Sequence, residues 1–351
     1  MAPPTPPVAS SFRWRDLAWP VALSVVVLGV IVGWTYEPGA LTEIAATLDL
    51  RVAALAPLAL LGMVVIGGVR LRFFSHRHLT WRGGVRGQIA WDFMSAVTPS
   101  AIGGAPLAGY FVAKDNRLPV GEAMALMLFA MLMDQVWFAT AVPIILIASG
   151  YVDVFPEAAG SIGQGLIAAY FVILWLWVGL FAFATIIRPQ VLSSVARWLV
   201  RFRWLKRFAS VVERETEALE ARATVIRKES PGFFVVGYLY TAAIWMCRYL
   251  VLFALLASVA QIPPFTTLIR ITGMWLTALL IPTPGSSGGM EGLFMLFVGP
   301  FLPLAARGVV VTVWRLLSYH LIIGIGLVVT MGTIREALTR RKDDEAEPEG
   351  V

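Results

Sequence analysis

Residues Thr98–Tyr110 read TPSAIGGAPLAGY, and residues Thr283–Gly292 read TPGSSGGMEG. Both stretches fit T-P-x-x-x-G-G. Each interrupts an apolar region, Ile89–Ala113 in the first case and Phe265–Leu302 in the second. Proline removes a backbone donor and clashes with the preceding helical turn, and glycine is a poor helix former. Each region therefore reads as helix, break, helix.

The rest of the chain says which solvent surrounds these breaks. Of 351 residues, 58% are hydrophobic and only 14% are charged. Soluble domains are about 45–50% apolar and about 25% charged. With a mean hydropathy of +0.77, the composition is that of an integral membrane protein. Six further runs approach the roughly 20 apolar residues that cross a bilayer: Leu17–Trp34, Val52–Val69, Glu122–Ala148, Leu166–Ile187, Phe233–Ala260 and Gly308–Ile334. The first is read as a retained span, not a cleaved signal peptide.

Basic residues in short loops mark the cytoplasmic side. Arg13 and Arg15 place the N-terminus there. Residues 35–51 carry Glu37, Glu43 and Asp49 against Arg51 and read as outside. Residues 70–88 carry Arg70, Arg72, Arg77, Arg82 and Arg86 with no acid, and read as inside. Residues 149–165 hold only Asp153 and Glu157 and read as outside. The basic connector 188–229 and the end of the chain, from Arg335 onward, read as inside. Ile89–Ala113 then begins and ends on the cytoplasmic face, whereas Phe265–Leu302 begins and ends outside. With arms of about nine residues, or about 14 Å, the first cannot cross. Both regions are expected to be re-entrant hairpins of opposite orientation.

Span, hairpin and span over residues 52–148 thus recur inverted over residues 233–334, with nearly the same internal spacing. The expected fold is an all-α integral membrane protein with about six transmembrane helices plus two oppositely oriented re-entrant hairpins, arranged as an inverted repeat. Inverted repeats whose broken helices meet near the midplane are a transporter pattern. Residues 1–16 and 335–351 read as disordered cytoplasmic tails around the membrane domain 17–334. Between the repeats, residues 191–229 read as an amphipathic cytoplasmic helix on anionic lipid, with Leu192, Val195, Leu199 and Phe202 at helical spacing among basic residues.

The candidate site follows from the breaks. A helix starting after each glycine pair presents unpaired N–H groups and a positive dipole end, which suits an anion. Gly103, Gly104, Gly288 and Gly289 allow close approach to the backbone. Ser100, Thr283, Ser286 and Ser287 supply hydroxyls. Charged groups within spans are costly and tend to be functional, which singles out Asp134, Arg248, Arg315 and Glu291, with Tyr319 one turn beyond Arg315. Asp134 and Arg248 are equally compatible with a structural pair. Arg70 and Arg72 end a span and are read as anchors that snorkel to the interface.

The single Cys247 excludes an internal disulfide, and the three histidines form no metal spacing. No cofactor is expected. There is no phosphate-binding loop of the Walker type. The net charge of +6 is that of cytoplasmic loops near anionic headgroups; no nucleic-acid partner is expected.

Three segments carry a resemblance. They are P-S-x-x-G-G at Pro99–Gly104, P-x-P-G…E at Pro282–Glu291, and WRLLSYH at Trp314–His320. On these, most of Leu17–Ile334 resembles the flippase-like transmembrane family of the lysylphosphatidylglycerol synthase membrane region, without the aminoacyl-transferase domain. The resemblance implies movement of a lipid between leaflets. Family members often carry charges around the first break, where this chain has Ala101, Ile102 and Ala105. An acidic–basic pair often precedes the next span's aspartate, where this chain has Ala130 and Met131 before Asp134. The expectation is a bacterial inner-membrane flippase or transporter, not an enzyme, with both termini cytoplasmic. Its partner would be a phospholipid or polyprenyl-linked lipid with an anionic or phosphate-bearing headgroup. A membrane-embedded enzyme modifying a lipid headgroup and a membrane scaffold subunit are the alternatives.

Overall fold

The structure is a computed structural model that describes residues 14–98, 104–148, 150–151, 160–199, 209–281 and 283–332. Among the described residues there are helices and connections but no strand. In chain order the helices are α1 (Trp14–Thr35), α2 (Ala40–Thr47), α3 (Leu50–Ala53), α4 (Leu55–Phe74), α5 (Trp81–Val97), α6 (Gly104–Asn116) and α7 (Val120–Ala148). Then come α8 (Gly160–Ala182), α9 (Gln190–Leu199), α10 (Ala209–Arg227), α11 (Pro231–Ala257), α12 (Pro264–Ala278), α13 (Gly289–Phe297) and α14 (Leu304–Arg315).

Among the described residues, four stretches are long and apolar enough to cross a membrane: Leu50–Phe74, Val120–Ala148, Pro231–Ala257 and Leu304–Gly332. Shorter apolar helical stretches lie in α1 (Val21–Thr35) and α8 (Val172–Ala182). Leu58, Leu61, Val172, Ile173, Leu176 and Leu239 are exposed on these helices. A water-facing surface rarely carries so much contiguous apolar area; hydrocarbon is the solvent these faces fit. The chain is an α-helical integral membrane protein.

Local chemistry sets the helix starts. Thr80 caps α5 by accepting from the Gly83 N–H at 3.0 Å. Ser230 caps α11, where Pro231 occupies a first-turn position that needs no donor. Because α5 begins at Trp81, just after Thr80, it takes in Arg82 and Arg86 and has 17 residues, and α6 has 13. The arms of the first broken segment are therefore longer than its apolar stretch. Apolarity counted only the residues that match lipid, and the helix continues through polar ones.

The centre of the packing is α4 against α11, with α5 on the other side of α4. Small residues permit that approach. A Cβ on Gly84 would come within 2.4 Å of the Gly68 carbonyl oxygen, and one on Gly68 within 2.8 Å of the Val85 backbone. Backbone cannot yield as a flexible side chain does. Gly84→Val is expected to cost about 1–3 kcal/mol or more, seen as a lowered thermal midpoint of the protein in detergent.

The second break meets the end of α5. Gly285 lies between α12 and α13 at φ +56°. A Cβ there would stand 3.0 Å from the carbonyl oxygen of Ala96, near the end of α5. Tyr319 donates to the same carbonyl at 3.4 Å. Helix α1 lies outside the two repeats and packs along α14, where a Cβ on Gly308 would come 2.4 Å from Thr35 Oγ1.

The described part of the connector between the repeats is helical, as α9 and α10. Residues 200–208, including Phe202, lie outside the described residues. Within α9, Val195 is exposed. Helix α10 packs on α7. Glu215 accepts from the Gly121 N–H at the start of α7 at 2.8 Å. Arg222 donates to the Phe74 carbonyl at the end of α4. Burial pushes the Arg222 guanidinium below its ordinary value, against the pull of Glu122 and Glu229. The segments 1–13 and 333–351, which hold nearly all of both tails, lie outside the described residues.

Candidate functional site

A cavity of about 170 Å³ lies beside the second break and the end of α5, walled by α4, α5, α7, α11, α12, α13 and α14. Three ion pairs gather around it. Arg70 Nη1 meets Asp134 Oδ1 at 2.6 Å, Arg248 Nη2 meets Asp92 Oδ1 at 2.9 Å, and Arg315 Nε meets Glu291 Oε1 at 2.9 Å. Each pair joins two helices: α4 with α7, α11 with α5, and α14 with α13.

Asp134 and Arg248 both line the cavity, but each has a different partner from the one weighed above. Arg70 takes Asp134, and Asp92 takes Arg248. Arg70 does not snorkel; it is 1% exposed. The apolar run stops at Val69, but α4 continues to Phe74 and keeps Arg70 on its buried face. Its Nη1 also donates to Thr241 at 3.1 Å.

Aromatic rings hold the guanidinium groups from their other faces. Arg248 sits 5.0 Å from the Trp245 ring and 5.3 Å from the Trp275 ring. Arg70 lies 5.2 Å from Trp91, and Arg315 lies 4.2 Å from Tyr319. Such contacts contribute more as water is excluded. Trp245 also donates to Asp134 Oδ1 at 3.3 Å.

Arg315, Tyr319, Thr283 and Ser286 line the cavity. Glu291 stands behind Arg315, fully buried at 0% exposure. Its Oε1 accepts from Ser24 at 2.9 Å as well as from Arg315, and its Oε2 accepts from the Gly288 N–H at 2.8 Å. Glu291 therefore caps α13 and orients Arg315 instead of facing the space. Ser287 is buried, with its Oγ 3.5 Å from Arg315 Nη2. Gly288 has φ +81°. A Cβ on Gly289 would strike the Ile281 side chain, and one on Gly104 would come within 2.7 Å of the Ser95 backbone nitrogen. These glycines thus let the arms of each broken segment close on one another. Ser100 and Gly103 lie outside the described residues.

Asp92, Gln88 and the three tryptophans were not singled out from sequence. Asp92 was visible as an acid inside an apolar region, the same signal that marked Asp134. After Arg315, the helix takes a π-helical turn, Leu316–His320, before resuming. That extra residue turns Tyr319 onto Ala96 and onto the Arg315 guanidinium; such bulges are frequent at functional sites.

The fold is that of a helical membrane protein with an ion-paired cavity among its helices. The chain is a member of the lysylphosphatidylglycerol synthase TM region family, whose sequence profile matches residues 21–326. It is 26% identical over 271 residues to a UPF0104 membrane protein of Archaeoglobus fulgidus, a match that covers 74% of this chain and 76% of the relative. No solved structure gives a significant match.

Proposed function

We propose that this chain is a flippase or transporter that moves a lipid with a phosphate-bearing headgroup between leaflets, leaving the acyl or prenyl tails in the bilayer. The observation that carries it is the convergence of three ion pairs on one cavity beside the second break and the end of α5. Charge at membrane depth is expensive and is retained where it lines a path or a site. In this proposal α1 and α8 join the four long apolar stretches to make six crossings. The α5–α6 and α12–α13 pairs are re-entrant from opposite faces, and both termini are cytoplasmic in a bacterial inner membrane. Access would alternate as one repeat rocks against the other.

Arg248 is the best placed group to meet the phosphate. It is partly exposed, at 22%, and its single carboxylate contact uses only Nη2. Losing a charge-assisted hydrogen bond of about 1.5–3 kcal/mol slows movement by about tenfold or more. Proteoliposomes holding acyl-labelled fluorescent phospholipid, read by dithionite quenching, measure this directly. Transport by Arg248→Ala at the wild-type rate would show that the headgroup does not use this cavity.

Headgroup-modifying chemistry has less support. Ser286 donates to the Ala278 carbonyl at 3.3 Å, and Ser287 faces Arg315. Neither hydroxyl meets a carboxylate or imidazole among the described residues.

A further inference from the structure

We infer that the headgroup this cavity accepts is zwitterionic, with one ammonium near its phosphate, and that Asp134 receives the ammonium. The inference rests on the proposal of a lipid-handling cavity and names the chemistry of its ligand.

Charge balance comes first. Arg70, Arg248 and Arg315 face Asp92, Asp134 and Glu291 in one-to-one pairs. The six groups sum to zero, so a headgroup bearing only negative charge would find no net countercharge. A ligand that is itself neutral overall, yet divided into two charges, matches such a site at lower desolvation cost.

Open valences come second. Asp92 is used at both oxygens, by Arg248 at 2.9 Å and by Gln88 at 3.0 Å. Glu291 is used at both and is fully buried. Asp134 is different: Arg70 and Trp245 both bind Oδ1, and Oδ2 has no protein partner among the described residues. Its side chain is 15% exposed, and it lines the cavity. An ammonium has three donors and no acceptor, and the open oxygen of Asp134 is an acceptor it can use.

Position comes third. Trp245 donates through Nε1 to Asp134 and carries the Arg248 guanidinium on its ring face. One indole thus fixes an open anionic acceptor and an open cationic donor on the same wall, as a linked phosphate and amine require. With one carboxylate oxygen open, a headgroup with two ammonium groups would leave the second unpaired.

The test is binding, which does not depend on movement. Full-length protein in nonionic detergent is titrated by calorimetry with dihexanoyl phosphatidylethanolamine, dihexanoyl phosphatidylglycerol and dihexanoyl lysylphosphatidylglycerol. The ethanolamine lipid is expected to bind about tenfold more tightly than the glycerol lipid, as one charge-assisted hydrogen bond supplies, and more tightly than the lysyl lipid. Asp134→Asn should remove that preference. So should Arg70→Met combined with Asp134→Met, which leaves no unpaired buried charge. Equal or tighter binding of either other lipid, a preference that survives in both variants, or no binding of any of the three overturns the inference. Selective binding without movement in proteoliposomes overturns only the transport proposal.

Discussion

Glu291→Ala is expected to lower the stability of the protein by about 3–5 kcal/mol, the cost of breaking a buried pair from one side. Glu291 is inaccessible, and Arg315 is 4% exposed. The carboxylate joins three elements at once: Ser24 of α1, the Gly288 N–H at the start of α13, and Arg315 of α14. Its loss uncaps α13 and leaves a buried guanidinium with no ion-pair partner among the described residues, held by long hydrogen bonds at 3.5 Å to Gly285 O and to Ser287 Oγ and by the Tyr319 ring. Thermal unfolding in detergent, followed by tryptophan fluorescence, reads the effect. Glu291→Gln keeps an acceptor for Ser24 and should fall between wild type and alanine. Replacing Glu291 and Arg315 together by methionine should recover most of the loss, because removing both partners of a buried pair is often close to neutral. An alanine variant as stable as wild type would show that the pair does not hold these helices together.

The same residues show what sequence can and cannot specify. The paired T-P-x-x-x-G-G breaks were legible because proline and glycine act on their own backbone, wherever the chain folds. The apolar runs were legible because lipid selects on composition, and their described residues lie almost wholly on helices. The partners of the charged residues were not. Depth along a helix follows from counting residues, but direction around it depends on packing, and one residue turns the side chain by about 100°. Asp134 and Arg248 share a depth and a cavity, yet Arg70 and Asp92 take the pairing positions. Arg70 was assigned to the interface because hydropathy ends at Val69. Burial inside protein, instead of lipid, lets α4 carry an arginine further in. Ser24 had no signal at all, since its role depends on α1 packing along α14 outside the repeat.

Gly285→Val is expected to cost about 2–5 kcal/mol and to abolish lipid movement. Two costs add here. A β-branched residue at φ +56° pays about 1–2 kcal/mol for left-handed backbone. Overpacking adds about 1–3 kcal/mol, because the new Cβ would stand 2.3 Å from the Tyr319 ring and 3.0 Å from the Ala96 carbonyl oxygen. Those two neighbours belong to different halves of the molecule. Ala96 ends the first broken segment, and Tyr319 lies in the π-helical turn of the last helix. Forcing them apart also disturbs Arg315, whose guanidinium stacks on Tyr319 at 4.2 Å and whose Nη2 reaches the Gly285 carbonyl. Gly285→Ala should show the same effects more weakly, since alanine tolerates left-handed backbone better than valine. Adding Tyr319→Ala to Gly285→Val should recover part of the stability, because the ring moves out of the way while the backbone strain and the Ala96 contact remain. Stability is read by thermal unfolding and movement by dithionite quenching in proteoliposomes. Full rescue by Tyr319→Ala would place the whole cost in the ring. No rescue would place it in the backbone, and wild-type movement in Gly285→Val would show that the breaks can separate without harm to the path between them.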